Sequence, residues 1–240
     1  MSAARRELAR VAGNVAACVA CPRLAAYVAG FRTDPAYWAR PVPGFGDPEA
    51  RLLVFGLAPG AHGANRTGRP FTGDGAGVFL YRALHEAGLA TAAVATGRDD
   101  GLALRDAFVT NAVKCAPPSN LPRPDEVARC SAHLDAELEA LRGIRAVLAL
   151  GRVAHDAWLR REARRRPGLR LKDFPFAHGA VHRPAPDAPA VVDSFHPSRY
   201  NVNVGVLTWP MFLAAMRAAA ALAAPPGPTS SSGQFRGSKR

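Results

Sequence analysis

Four short apolar runs limit this chain more than any other feature of it. They are RLLVFGLA (Arg51 to Ala58), AFVTNAV (Ala107 to Val113), IRAVLALG (Ile144 to Gly151) and AVVDSFH (Ala190 to His196), and each closes on small or polar residues. Apolar runs without polar alternation suit strands covered on both faces, as in a parallel sheet with helical crossovers. Amphipathic stretches stand between and around them, at Gly77 to Ala87, Asp125 to Leu141, Val153 to Arg165 and Met211 to Ala223, with one further helix expected over Arg5 to Phe31. The alternation predicts an α/β fold with a mostly parallel sheet. Ligands of such sheets bind beyond the carboxyl ends of the strands, which points to the segments that follow the four runs.

With 48% hydrophobic residues, the chain can bury a full core. One domain over residues 1–224 is expected. The last sixteen residues, 225–240, are rich in Pro, Gly and Ser, carry three cations and no acid, and read as a disordered basic tail. No run approaches the roughly 20 apolar residues of a membrane span. The N-terminus reads as an amphipathic helix rather than a signal peptide, so a cytoplasmic chain with no membrane partner is expected.

Thirty-one Lys+Arg against 19 Asp+Glu give a formal charge of +12. A basic surface favours a polyanion, because phosphates neutralised by cations release counterions. The competing explanation is compositional, since the cations are mostly arginine, as in chains whose net charge drifts upward without a polyanionic partner.

Cys18 and Cys21 form C-x-x-C before Pro22, and Cys115 and Cys130 follow far downstream. In a reducing compartment disulfides are improbable, and a C-x-x-C pair with two further thiols reads as a four-thiolate metal site. Zinc and an iron–sulfur cluster both accept that set, and the spacing does not choose between them. The competing reading is four buried, inert cysteines.

The segment GLAPGAHGANRTGRPFTGDGAG (Gly56 to Gly77) holds seven glycines in twenty-two residues. Its backbone can approach a ligand closely. Neither G-x-G-x-x-G nor a P-loop is present in the right context, so it is not a phosphate cradle. It carries His62, Asn65, an aromatic plate at Phe71 and a carboxylate at Asp74, which by position alone would be a helix N-cap. The fourth run leads into SFHPSRYN (Ser194 to Asn201), where His196 sits at a strand end but could equally be a turn residue.

Taken in order, C-x-x-C-P-R-L, GLAPGAHGANRTGRPFTGD, TNAVKCAPPSNLP and HPSRYN closely resemble the iron–sulfur uracil-DNA glycosylases of family 5. The resemblance runs from Cys18 to about Thr208. The neighbouring family 4 normally has Glu after the first Gly of its first motif. Leu57 and Ala58 stand there instead, which favours family 5, and the basic insertion of the related uracil-trapping enzymes is missing.

The resemblance implies a three-layer αβα sandwich around a central four-stranded parallel sheet and a [4Fe-4S] cluster on Cys18, Cys21, Cys115 and Cys130. It also implies hydrolysis of the N-glycosidic bond of uracil in DNA by base flipping, extending to deaminated bases such as hypoxanthine. DNA containing such bases and the abasic-site product would be the partners, and the chain is expected to act as a monomer. Asp74, His196 and Asn120 become the catalytic candidates. Gly56, Ala58, His62, Phe71, Asn111 and Arg199 become the substrate-binding ones. Phe71 would stack on the base, and Asn111 or Asn120 would read it. Asp74 would orient water or stabilise the sugar cation, and His196 would stabilise the departing base. Arg66, Arg69, Lys114 and Arg199 are expected to grip phosphates. The cluster RREARRRPGLRLK (Arg160 to Lys172) is either a phosphate rail or a solvated helix end, and Ser198 to Tyr200 is a candidate wedge. The alternatives are a non-catalytic lesion or abasic-site binding protein of the same fold and a zinc-stabilised binding protein.

Overall fold

The structure, a computed structural model, describes residues 2–225. Its elements in chain order are α1 (Ala3–Ala16), α2 (Pro22–Ala29), β1 (Phe45–Gly46), β2 (Leu52–Gly56), α3 (Ala64–Thr67), α4 (Gly75–Glu86), β3 (Ala107–Asn111), α5 (Pro124–Ala140), β4 (Ala146–Leu150), α6 (Arg152–Arg165), β5 (Val181–His182), β6 (Ala190–Ser194), α7 (Arg199–Asn203) and α8 (Trp209–Ala223). The expected tail lies, beyond Pro225, outside the described residues.

All four apolar runs are strands, and they form a parallel core in the order β3-β2-β4-β6. The sheet has six strands rather than four, because the two-residue strands β1 and β5 add antiparallel edges beside β3 and β6. Two residues are too short to show an alternation, so sequence periodicity does not reveal them. Alternate side chains along β2 enter different cores. Leu52 and Val54 pack with α4 and α8 through Leu80, Leu84, Phe212 and Met216. Leu53 and Phe55 pack on the other face with α5 and α6 through Leu134, Trp158 and Leu159. Two buried faces account for the unbroken apolar runs. The three-layer sandwich follows, with α1 laid against α5.

The N-terminal segment is two helices, not one over Arg5 to Phe31. Proline at 22 opens α2 and forces the preceding Cys21 into an extended conformation (φ −111°, ψ 96°), so α1 cannot run through. The break is where Cys18 and Cys21 sit. No helix among the described residues is long and apolar enough to cross a membrane.

Candidate active site and cysteine cluster

The loops that leave β2, β3, β4 and β6 enclose one large pocket. Ala58, His62, Phe71, Asp74, Asn111, Asn120, His196 and Arg199 all line it. Of the residues expected at the site, Gly56 alone stands behind the wall rather than in it. The structure therefore gathers four distant segments at one strand end.

Asp74 caps a helix and also lines the pocket. Its Oδ1 accepts the Gly77 N–H at 3.0 Å and caps α4. Its Oδ2 lies against the glycine loop, where a Cβ on Gly63 would come within 2.3 Å of it and one on Gly60 within 3.2 Å. A carboxylate has two oxygens, so a cap on one leaves the other for the pocket. The glycines at 60 and 63 bring bare backbone to that oxygen.

Phe71 is held in the left-handed region (φ 52°), a costly conformation for a bulky residue and one found at ligand sites. Its ring reaches over Gly56, whose absent Cβ would meet Phe71 Cζ at 2.5 Å and Asn111 Oδ1 at 2.4 Å. Asn111 ends β3 and is buried, and its Oδ1 has no hydrogen-bond partner. An unpaired buried acceptor costs about 1 to 3 kcal/mol, so its place in a pocket wall marks it for a donor on a ligand.

His196 follows β6, with its ring centroid 6.2 Å from that of Phe71. Gly151 (φ 91°) lets the β4 loop pass beside it, 3.2 Å from a would-be Cβ to His196 Cβ. The rest of SFHPSRYN builds this corner. Asn201 Nδ2 donates to the His196 carbonyl at 2.9 Å, and the Ser198 hydroxyl accepts the Asn201 N–H to cap α7. Burial lowers the His196 pKa below the ordinary histidine value, with the Asp74 charge opposing that shift. The imidazole is thus neutral at pH 7.

Asn120 and the preceding Ser119 both have positive φ (57° and 55°), a strained turn at the pocket rim. The next residue, Leu121, also lines the pocket yet is 69% exposed. The turn is braced from two helices, because Arg23 donates to the Leu121 carbonyl at 3.2 Å and pairs with Glu126 at 2.7 Å. Sequence reasoning missed Leu121, although an apolar residue among the prolines of KCAPPSNLP was its signal. It also missed Arg152 and Phe176 on the wall, and Tyr37, whose hydroxyl bonds His62 Nδ1 at 2.7 Å. Nothing in the sequence announces Tyr37.

The four cysteines, unpaired as disulfides, line one small cavity of their own. Cys18 and Cys21 come from the break between α1 and α2, Cys115 from the segment after β3, and Cys130 from α5. Burial, reinforced by the negative charges of the other three cysteines, pushes the Cys115 thiol up to about 12. Burial likewise lifts Cys130 to about 11. Four thiols lining one small cavity are the donor set a cation would stabilise as thiolates. Lys114 N–H and an Arg129 guanidinium N–H point at Cys130 Sγ and Cys21 Sγ, at 3.3 and 3.7 Å.

The expected phosphate grip is only partly there. Arg199 reaches the pocket and Arg66 bonds only the His62 carbonyl. Lys114, however, is fully buried on Glu137 at 2.6 Å, with Thr110 beside it. Arg69 is buried on Asp100, whose carboxyl is held below its usual range: burial opposes this, but hydrogen bonds from Arg69, Leu102, Thr96 and Gly97 prevail. Neither can meet DNA. In the Arg160 to Lys172 cluster, Arg160, Arg161, Arg166 and Arg170 pair with carboxylates, which favours the solvated, ion-paired reading over a rail. A separate group, His155, Asp193 and His182, is a hydrogen-bonded network beneath β6 that does not line the pocket.

The parallel sheet carries a glycine-lined carboxylate, an aromatic ring and an asparagine at its strand ends, and the profile of the Uracil DNA glycosylase superfamily matches residues 43–220. This chain belongs to that superfamily, and within it to the type-5 uracil-DNA glycosylases. It is 50% identical over 217 residues to the type-5 uracil-DNA glycosylase of Thermus thermophilus, covering 88% of this chain and 95% of that protein. It is 44% identical to the one of Pyrobaculum aerophilum (85% and 88% covered) and 42% identical to the one of Mycobacterium leprae (81% and 86%).

Proposed function

We propose that this protein excises uracil from DNA by hydrolysing its N-glycosidic bond, leaving an abasic site. The observation that carries the reading is the unpartnered, buried Asn111 Oδ1 in a pocket that also holds Phe71, Asp74 and His196. A carboxamide there accepts from uracil N3–H and donates to O4, whereas cytosine offers the opposite pattern at both atoms.

The base must leave the duplex to reach this wall. Phe71 stacks on it, a contact worth about 1 to 3 kcal/mol. As the bond breaks, positive charge grows on the sugar and negative charge on the base. Asp74 Oδ2, free of the helix cap, orients the attacking water or stabilises the sugar. His196, as a neutral imidazole, donates its one N–H to a base carbonyl and stabilises the leaving anion. Asn120, Ala58 and His62 shape the rim and floor around the base, and Arg199 meets a neighbouring phosphate. Exposed Leu121 on the pocket rim, and exposed Tyr200 between the pocket residues Arg199 and Asn201, take up the space that the base vacates in the stack. Hypoxanthine and other deaminated bases that offer a donor to Asn111 and a carbonyl to His196 are further substrates.

Cys18, Cys21, Cys115 and Cys130 would hold a [4Fe-4S] cluster, which supplies no step of the hydrolysis and ties the break after α1 to α5 and the β3 loop. On this reading the protein acts as a monomer on genomic DNA in the cytoplasm.

One set of labelled oligonucleotides carrying uracil, hypoxanthine or an ordinary base tests the reading. Alkali-sensitive breaks at uracil are expected. Tight binding to abasic DNA with no excision of any base would instead support a non-catalytic lesion binder. Iron and sulfide in anaerobically prepared protein support the cluster, and a colourless, zinc-containing preparation overturns it.

A further inference from the structure

Four arginines stand around Trp38 without a carboxylate beside them. Arg32, Arg40, Arg66 and Arg98 have no ion-pair partner among the described residues, and all but Arg66 are exposed. Two of them lean on the indole. The guanidinium carbon of Arg98 is 4.1 Å from the Trp38 ring centroid and that of Arg40 is 5.6 Å. Gly68 permits this packing, since at φ 73° its missing Cβ would meet Trp38 Cγ at 2.9 Å and Arg98 Cδ at 2.6 Å. Arg32 Nε donates to the Ala39 carbonyl at 3.3 Å and Arg66 Nε to the His62 carbonyl at 3.0 Å, each keeping its other N–H donors free.

The indole is fixed in turn. Trp38 Nε1 donates to the Pro41 carbonyl at 3.1 Å, and the Trp38 and Ala39 N–H groups bond the carbonyls of Arg66 and Asn65 in the glycine loop, at 2.8 and 3.1 Å. Arginines resting on a rigid ring have already lost part of their rotamer freedom, which lowers the cost of ordering them on a ligand.

A groove runs along this cluster, walled by Arg32, Tyr37, Trp38 and Arg40. The one carboxylate on its wall, Asp34, accepts the Ala36 N–H at 2.9 Å and joins no ion pair. The groove and the base pocket adjoin at Tyr37 and His62, which line one concavity each and are joined by a 2.7 Å hydrogen bond. A nucleotide whose base enters the pocket carries a phosphate on each side, so its strand must leave over two rims. Arg152 and Arg199 stand on the pocket wall itself. The rim at Tyr37 has its cations one step further out, in the groove.

We propose that the Trp38 groove is a second DNA-contact surface, in which Arg32, Arg40 and Arg98 hold phosphates of the substrate strand on one side of the extruded nucleotide. The proposal rests on the pocket taking a DNA base, and its test reads binding rather than excision so that the two can fail separately. Arg40 and Arg98 are exposed and join no ion pair, so the double variant Arg40→Gln/Arg98→Gln loses only their contacts with the indole and is expected to stay folded, which a melting curve checks.

Affinity for a duplex with a central abasic-site analogue is measured against salt, and again after the flank on either side is cut to one nucleotide. Each phosphate contact contributes about −0.9 to the slope of log K against log[salt] on duplex DNA. The double variant is expected to flatten that slope by about 1 to 2. Trimming one of the two flanks should weaken the wild type by a similar factor and the double variant hardly at all. An unchanged slope, or a variant as sensitive to trimming as the wild type, overturns the groove while leaving uracil excision standing. A wild type that excises no uracil and binds no abasic duplex overturns the base-pocket reading, and the groove with it.

Discussion

A Cβ placed on Gly56 would lie 2.4 Å from the carboxamide oxygen of Asn111 and 2.5 Å from the rim of the Phe71 ring. The last residue of β2 is thus glycine because the Asn111 amide and the Phe71 ring both close over it. Gly56→Ala must displace one or both. Overpacking of this kind costs typically 1 to 3 kcal/mol, and a misplacement of about 1 Å at a reacting centre can cost about a hundredfold in rate. We expect the variant to stay folded with a lower melting temperature and to excise uracil at least about tenfold more slowly in single-turnover assays. Wild-type rates would show that neither Asn111 nor Phe71 needs its present position.

Asp74 can be dissected because its two oxygens do different things. Asparagine is as good an N-cap as aspartate, so Asp74→Asn keeps the bond to Gly77 and the start of α4. What it loses is the charged Oδ2 facing Gly60 and Gly63. The expected outcome is an unchanged melting temperature, retained affinity for abasic DNA, and excision reduced by about 10² to 10⁴. Parallel loss of stability and activity would return Asp74 to a purely structural role.

A donor role for His196 would show in the pH profile. Its lowered pKa leaves the neutral form dominant at and above neutrality. Excision carried by that neutral form stays level as pH rises from about 7 to 8.5. An enzyme that needed the imidazolium would instead lose about tenfold per pH unit above the histidine pKa. A falling rate across that range, absent in His196→Ala, would sink the neutral-donor role.

The sheet core was legible because its physics is local: five-residue apolar strands buried on both faces admit few other readings. So was the convergence of Asp74, Asn111 and His196, since Asn111 closes a strand of that sheet, His196 follows one, and Asp74 lies on the glycine-rich connection that leaves β2. What stayed hidden depends on partners distant in sequence. Nothing near Lys114 says that Glu137, 23 residues on, will bury it at 2.6 Å, nor near Arg69 that Asp100 will do the same. Both looked like phosphate ligands because a cation in a site loop has the same local signature whether it is paired or free. Trp38 and Tyr37 lie in a stretch with no periodicity, and only the tertiary fold carries them to the rim of the glycine loop.

The His155–Asp193–His182 network gives the fold a pH signature independent of catalysis. His155 Nδ1 faces Asp193 Oδ1 at 2.7 Å and its Nε2 faces the Phe174 carbonyl at 2.9 Å, so both nitrogens meet acceptors and both carry protons. Burial alone would lower its pKa, but the hydrogen bond and charge of Asp193 outweigh that and raise it. A raised histidine contributes stability that is fully present below the unfolded value of about 6.5 and is lost as pH rises through the folded one. His133, His178 and His196 are shifted the other way, chiefly by burial, so between their folded values and about 6.5 they make stability rise with pH. The two trends meet near 6.5. Urea midpoints taken from pH 5 to 8 should therefore peak there, and His155→Gln should remove the alkaline limb while keeping the acid one. A wild-type midpoint that keeps rising through pH 8 would mean that His155 is neutral in the folded protein and that one of its two hydrogen bonds is not made.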